Sequence, residues 1–471
     1  MSLVKHIVNG ESMSGGALTL TEGELESFEQ RGKYVITVVG CGRMGLPTAC
    51  LFAEAGFRVI CFDINSRIVG QINSGASPFL EPNLDKLIKK NVDLGRLKAT
   101  NDVKSALSNS DITIVAVDTP IDEKKRPNYS NLESACRDIG LNLKLGNLVI
   151  LESTVGPGVT EEIVKETLES SSGLKAGKDF GLAYSPIRAS VGRVLEDMVS
   201  YPRVLAAIDE RSLVAARSIL KTVVKGGIIE VSSIRAAEVI KLAENIYRDV
   251  NLALSNELAL FCEKIGVDYL EVQAAANTQP YCHLLKPGLV GGHIPKDPYL
   301  LIYEAESLGI KLALPSLARR VNDESVKRAF DLIRDAFKAM DKTLKRSKIT
   351  ILGLSYKPNV KEMKGSLVMD LVNLLVDKGV KVSVFDPFYS PDELRSINIP
   401  AEKNLTKTFK GADCIVIAVG HDKFRRLSLK KIGMLMKKPY ALVDLANIIN
   451  PSKAVKEGFI YRGLGRGAWM K

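Results

Sequence analysis

The stretch YVITVVGCGRMGLPTACLFAEAGFRVICFD constrains this chain more than any other. Tyr34–Val39 is an apolar, β-branched run that ends in glycine, the pattern of a buried parallel strand. Leu46–Ala55 has helical character, and Arg58–Phe62 predicts a second strand that stops at Asp63. Together they make a βαβ unit whose first turn, Gly40-Cys41-Gly42-Arg43-Met44-Gly45, has GxGxxG spacing. Such a turn lets backbone amides approach a pyrophosphate at a helix N-terminus. Asp63 follows Gly45 by 18 residues, where a carboxylate accepts hydrogen bonds from ribose hydroxyls and repels a 2′-phosphate. The unit predicts bound NAD, with Gly40, Gly42, Arg43, Met44, Gly45 and Asp63 around it. Arg67 keeps NADP open, and a doubly wound domain without nucleotide is the bland alternative.

The same plan continues downstream. Asp111–Val117 predicts a strand followed by Asp118-Thr119-Pro120, and Leu148–Leu151 another followed by Glu152-Ser153-Thr154. From about 235 to 280 strands disappear, and Ala236–Ile265 predicts one long helix, free of proline and glycine until Gly266. Strands return at Lys348–Leu352 and Val380–Phe385, joined through a glycine turn and a helix near Met369–Lys378, with Asp386 after the second. Cys414–Val419 and Tyr440–Leu445 supply further strands. The fold class is α/β: two Rossmann-like doubly wound domains flanking an all-helical middle. We expect a loosely ordered arm over 1–33, a dinucleotide-binding domain over 34–230, a helical domain over 231–335 and a second Rossmann-like domain over 336–471.

Composition narrows the function classes. A chain of 471 residues suggests about three domains. With 46% hydrophobic and 25% charged residues it is neither disordered nor collagenous. No apolar run reaches the ~18–20 residues that span a bilayer, and the first residues lack a secretory pattern. Seven cysteines, at 41, 50, 61, 136, 262, 282 and 414, contain no CxxC and predict reduced thiols in a cytoplasm. Four histidines without ligand spacing predict no metal site. Of the net charge of +11, residues 401–471 carry +10, from 15 Lys+Arg against 5 Asp+Glu. Such a charge admits a nucleic-acid partner or a solvated basic face, and the sparse aromatics favour the latter. A phosphate-bearing small substrate also suits such a field.

Lys241 and Asn245 lie four apart on the long helix and share a face. A lysine and an amide so placed can bind a developing alkoxide, although a surface i,i+4 pair is the ordinary alternative. With GCGRMGLP, AVDTPID, ESTVGPGVT, YSPIRASVGRVLED, EVIKLAENIYRDVNLALSNELA, KPGLVGGHIPKDPYLL, GLSYKPNVKEMKGS, VSVFDPF and YRGLGRG in order, the chain resembles the UDP-glucose/GDP-mannose dehydrogenase family. The blocks AVDTPIDEKKRPNYSNLESA and YSPIRASVGR look most like enzymes acting on UDP-N-acetylhexosamines, the UDP-N-acetylmannosamine type among them.

The resemblance implies NAD-dependent oxidation of a sugar C6 alcohol to a carboxylate. In that family a cysteine captures the intermediate aldehyde as a thiohemiacetal, a second NAD takes a hydride to leave a thioester, and water then cleaves it. It implies that Lys241 and Asn245 stabilise oxygen anions, that Thr154 positions a water and that Asp297 supports proton transfer. Thr119 and Thr154 would touch the cofactor; Arg188, Gly291, Gly292, Lys357 and Lys364 would touch the nucleotide sugar. It also implies a homodimer built on the long helix.

Three departures stand out. Gly291-Gly292-His293 runs directly into Ile294-Pro295, so the family's cysteine is missing and His293 falls in its slot. Ile187 stands where the family has a glutamate after the proline of YSP, and an isoleucine cannot act as a base. Lys364 replaces an arginine, which weakens a bidentate grip on phosphate. Cys282 could stand in as nucleophile only if its loop folded back toward His293. The competing readings are a dehydrogenase whose second oxidation is impaired, a binding relative without catalysis, and a β-hydroxyacid dehydrogenase. The second α/β domain argues against the last.

Overall fold

The computed structural model describes residues 17–402 and 404–469. By contact density the chain divides into two units. One runs to Asp122 and resumes over Pro127–Lys241; the other comprises Glu123–Arg126 and Leu242–Lys471.

The first unit is organised by β1 (Val35–Val39). Its five residues are all buried, because helices cover both faces of the sheet. Alternate side chains feed opposite cores: Ile36 and Val38 join Leu46, Ala49 and Phe52, while Val35 and Val39 join Leu132, Cys136 and Ile139. The other strands are β2 (Arg58–Phe62), β3 (Leu97–Thr100), β4 (Ile112–Val115), β5 (Leu148–Leu151), β6 (Gly181–Tyr184), β7 (Arg203–Ala207) and β8 (Ile228–Glu230). Their order is β3-β2-β1-β4-β5-β6-β7-β8. Among these eight strands only β6 and β7 pair antiparallel. Because β1 pairs with both β2 and β4, strand order reverses beside it, and the crevice where such sheets bind ligands opens at its carboxyl end.

The second unit begins within the long helix, which spans Ile234–Ile265. Ser233 Oγ accepts the Ala236 N–H at its start. Gly266, with φ of 77°, ends it while Val267 N donates to Cys262 O at 2.9 Å. Helices Tyr269–Ala276, Asp297–Ser307, Ala313–Asp323 and Ser325–Ala339 follow. The second sheet contains β9 (Lys348–Leu352), β10 (Lys381–Phe385), β11 (Cys414–Ile417), β12 (Ala441–Asp444) and β13 (Ile460–Gly463). Its order is β10-β9-β11-β12-β13, all parallel, so its switch point lies between β9 and β11.

The α/β class with a helical middle is therefore the observed fold. One expectation is corrected. From residue 17 onward the N-terminal segment is packed, not loose: Ala17, Leu20 and Leu25 are buried in the core of the first unit, and Leu18 N donates to Gly146 O at 2.9 Å. The apolar residues of ALTL and Leu25 supply the burial that fixes it. Residues 1–16 of the expected arm lie outside the described residues. All seven cysteines are free thiols, and only Cys282 is more than slightly exposed.

Candidate active site

Gly40 follows β1 with φ of 92°, and a Cβ there would lie 2.7 Å from Ala116 O. At Gly45, the first residue of the helix Gly45–Glu54, a Cβ would lie 1.9 Å from Gly40 O. The turn itself requires both glycines. Gly42 differs, since a Cβ there would meet nothing within 4 Å. Its lack of a side chain leaves a cradle that the protein does not fill, which fits close approach of a pyrophosphate. Met44 caps the helix, and the Arg43 guanidinium lies 5.0 Å over the Phe79 ring.

Asp63, at the end of β2, binds this turn directly. Its Oδ2 accepts the Cys41 N–H at 2.9 Å and its Oδ1 accepts the Asn65 N–H at 2.9 Å. Each carboxylate oxygen keeps accepting capacity, and the side chain is only half-buried, so ribose hydroxyls fit here. Beyond β4 and β5, Thr119 Oγ1 donates to Thr154 O at 2.6 Å, which joins two further candidates. These residues fit NAD.

Lys241 closes the first unit's part of the long helix. One turn earlier lies Glu238, which the sequence reading missed. This buried carboxylate accepts from Gly158 N at 2.6 Å, Thr160 N at 2.9 Å and Thr160 Oγ1 at 2.6 Å. Burial pushes its carboxyl up to about 7 against the pull of those bonds. Glu238 thereby fixes the Thr154–Thr160 loop to the start of the helix that carries Lys241.

In the second unit Asn245 Nδ2 donates to Asp297 Oδ2 at 2.5 Å. Asp297 is 2% exposed. Its other oxygen lies 3.3 Å from Lys296 Nζ and accepts no hydrogen bond among the described residues. A buried carboxylate between an amide and an ammonium can take part in proton transfer while the amide's remaining N–H is left for a developing charge. One helical turn after Asn245, Asp249 is buried against Arg319, and Asn322 Nδ2 donates to it at 2.8 Å. That network, also missed, ties the Asn245 helix to the helix Ala313–Asp323.

His293 is exposed, and its carbonyl accepts from Lys296 N at 3.0 Å and Asp297 N at 3.1 Å, a turn that delivers Asp297 to its helix. The glycines before it are dictated by packing. A Cβ on Gly291 would lie 2.6 Å from Gly365 O, and one on Gly292 2.8 Å from the Tyr356 ring. Gly292 N donates to Gly365 O at 3.1 Å. The 291–297 turn is thus seated on the 353–367 loop that holds Lys357 and Lys364, both partly or fully exposed.

The departures have structural counterparts. Ile187 is buried with Val194 and Met198, and Met44 and Leu51 pack against that cluster, so its position is a small apolar core. Arg188 Nη1 donates to Pro202 O at 2.9 Å. Cys282 Sγ donates to Asn277 Oδ1 at 3.8 Å, a contact local to its own turn.

The fold and these constellations define a dinucleotide-dependent oxidoreductase with a second doubly wound domain. Residues 34–224 match the NAD binding domain, 235–324 the central domain and 350–451 the UDP binding domain of the UDP-glucose/GDP-mannose dehydrogenase family. The chain belongs to that family, and its cofactor is NAD. It is 36% identical to a UDP-N-acetyl-D-mannosamine dehydrogenase of Pyrococcus horikoshii over 92% of this chain and 99% of that protein. It is 33% identical to a UDP-N-acetyl-D-glucosamine 6-dehydrogenase of Pseudomonas aeruginosa, over 89% and 98%. A solved structure of the UDP-D-ManNAc dehydrogenase from Pyrococcus horikoshii matches with a TM-score of 0.84, covering 92% of this chain and 100% of that one. Among the described residues no helix is long and apolar enough to cross a membrane.

Proposed function

We propose that this dehydrogenase oxidises the C6 hydroxyl of a UDP-N-acetylhexosamine, fast to the aldehyde and slowly or not at all beyond it. The observation that carries the reading is the Asn245–Asp297 pair, a buried carboxylate with one oxygen on an amide and the other beside the Lys296 ammonium. Asp297 takes the hydroxyl proton, directly or through water, while Lys241 and Asn245 hold the developing oxyanion. Gly40, Gly42, Arg43, Met44, Gly45, Asp63, Thr119 and Thr154 would hold NAD, whose chemistry would be to supply an acceptor for the hydride leaving C6. Lys357 and Lys364 attract the diphosphate, Arg188 and the Gly291-Gly292 backbone border the sugar, and Thr154 holds a water. The similarity to dehydrogenases of UDP-N-acetyl-D-mannosamine and UDP-N-acetyl-D-glucosamine supports the sugar class.

The second oxidation lacks its thiol. His293 can move a proton to or from an aldehyde hydrate, but it is a poor carrier of an acyl group. The apolar surroundings of Ile187 supply no base either. The same two features favour the second reading, a nucleotide-sugar-binding relative without turnover. Counting NADH released per UDP-N-acetylmannosamine separates the cases. We expect about one in the fast phase; two in that phase overturn the impaired reading, and none favours the binder.

We further propose a cytoplasmic homodimer, with functional domains over 34–230, 231–335 and 336–471. The seven free thiols support the compartment. Tyr247, Leu254 and Phe261, seven residues apart on the long helix, are 60%, 46% and 60% exposed. Such an apolar stripe fits a helix of a second copy. A monomer by light scattering at micromolar concentration contradicts it.

A further inference from the structure

The loop over residues 353–367 leaves β9 at the second sheet's switch point, and one residue in it is held unusually firmly. Asn359 sits in the left-handed region with φ of 60°. Its side-chain Nδ2 donates to Asp422 Oδ2 at 2.9 Å, and its Oδ1 accepts the Asp422 N–H at 3.0 Å. Its backbone N–H donates to His421 Nδ1 at 2.9 Å. Within the loop, Ser355 Oγ donates to Val360 O at 2.6 Å and Tyr356 N to Glu362 O at 3.0 Å. Fixing Asn359 therefore fixes the segment 355–362, in which Lys357 lies two residues away.

His421 is fully buried. Since Nδ1 accepts an amide proton, the ring proton belongs on Nε2, which lies 3.2 Å from Asp386 Oδ2. Phe388 and Phe424 rings, 5.2 and 5.5 Å away, close its remaining sides. Asp386 also accepts from Leu354 N at 2.7 Å, so one carboxylate orients both the loop's first residues and the imidazole that holds its middle. We propose that His421 is a positioning residue for nucleotide-sugar binding: neutral, with its Nε2–H on Asp386, it presents Nδ1 as the acceptor that sets the Lys357 loop in place. This rests on the reading that Lys357 contacts the diphosphate.

Two isosteric swaps divide the ring's functions. In His421→Asn the amide oxygen replaces Nδ1 as acceptor for Asn359 while the bond to Asp386 is lost. In His421→Gln the amide nitrogen replaces Nε2 as donor to Asp386 while Asn359 N–H loses its acceptor. Calorimetry on the full chain, with UDP and NAD as probes, and amide exchange of the ligand-free loop read the result. We expect His421→Gln to weaken UDP binding about tenfold, as loss of one buried hydrogen bond implies, and to speed Asn359 exchange, with NAD binding unchanged. His421→Asn should stay near wild type in all three. The proposal is overturned if His421→Gln keeps wild-type UDP binding and exchange, or if both variants lose UDP and NAD affinity together, as a merely structural histidine would. Lys357→Ala tests the underlying reading separately. If it leaves UDP binding intact, that reading falls, while the exchange rates still judge whether His421 sets the loop.

Discussion

The two sheets begin with the same device and put it to different ends. After β1, Gly40 takes φ of 92°; after β9, Gly353 takes φ of 91°. After β2, Asp63 Oδ2 accepts the Cys41 N–H at 2.9 Å; after β10, Asp386 Oδ2 accepts the Leu354 N–H at 2.7 Å. There the likeness ends. In the first turn the helix starts at Gly45, five residues after Gly40, and its N-terminus faces the crevice. In the second, residues 353–367 intervene before the helix Val368–Asp377. Asp63 is half-buried and keeps accepting capacity, whereas Asp386 is 3% exposed and bonded to Leu354, Phe388 and His421. An acidic residue after the second strand is first a clamp on the turn. It can serve a ribose only where nothing else covers it.

The sharpest way to break the comparison is Gly45→Ala. The added methyl would overlap a backbone carbonyl of the same turn, with no flexible side chain to move aside. We expect loss of soluble folded protein or a melting temperature lowered by more than 10 °C, consistent with several kcal/mol of overpacking. A variant that melts like wild type would show that the turn rearranges cheaply.

Next in size is Asp386→Ala. It strands the Leu354 and Phe388 N–H groups and the His421 donor in a dry site, at about 3 kcal/mol or more. Burial alone would push the Asp386 carboxyl up, but the bond from His421 and those from Leu354 and Phe388 outweigh it and hold the carboxyl below 3.8. A depressed folded value means that this stabilisation is complete above the unfolded value and is lost as pH falls through the folded one. Urea denaturation at pH 7 should therefore show the full deficit of Asp386→Ala, and the gap to wild type should shrink below pH 3.8. A gap that persists unchanged into that range would mean the carboxylate's charge contributes nothing.

Much of this was legible in the residues, for stated reasons. Strands buried on both faces, such as Val35–Val39 and Cys414–Ile417, are runs dominated by apolar, β-branched residues and announce themselves. The strands at Leu97–Thr100, Gly181–Tyr184, Arg203–Ala207, Ile228–Glu230 and Ile460–Gly463 went unpredicted. They are three to five residues long and include charged residues or glycine. Arg203 is tolerated in a buried strand because it pairs with buried Glu152, a partner 51 residues away that no local pattern shows. In the site, GxGxxG and Asp63 are local signals, and so is the Lys241/Asn245 spacing. Glu238, Asp249 and His421 act through partners distant in sequence, so periodicity could not single them out.

Asp63→Ala sharpens the contrast with Asp386. The turn loses one part-buried bond to Cys41 N and the following turn one exposed bond to Asn65 N, where water can substitute. We expect about 1 kcal/mol or less of stability lost. NAD affinity should fall much further, about thirtyfold or more, as charge-assisted bonds to ribose hydroxyls disappear. The preference for NAD over NADP should narrow, because the carboxylate no longer repels a 2′-phosphate. If wild type binds NADP as tightly as NAD, the reading of Asp63 is wrong.

The smallest expected effect on the fold is the most specific to the cofactor. Gly42→Ala adds a methyl that meets no protein atom within 4 Å, at a position outside the positive-φ region. Removing a glycine's freedom from the unfolded chain should leave stability unchanged or raise it by about 0.5 kcal/mol. In the same crevice the methyl occupies space that a pyrophosphate needs for close approach to the turn's amides. NAD affinity should fall about tenfold, or about 1.4 kcal/mol. Gly45→Ala and Gly42→Ala are the same chemical change three residues apart, so opposite outcomes separate a glycine kept for the chain from one kept for a ligand. If Gly42→Ala binds NAD like wild type, the open space beside Gly42 is not where the cofactor's phosphates rest.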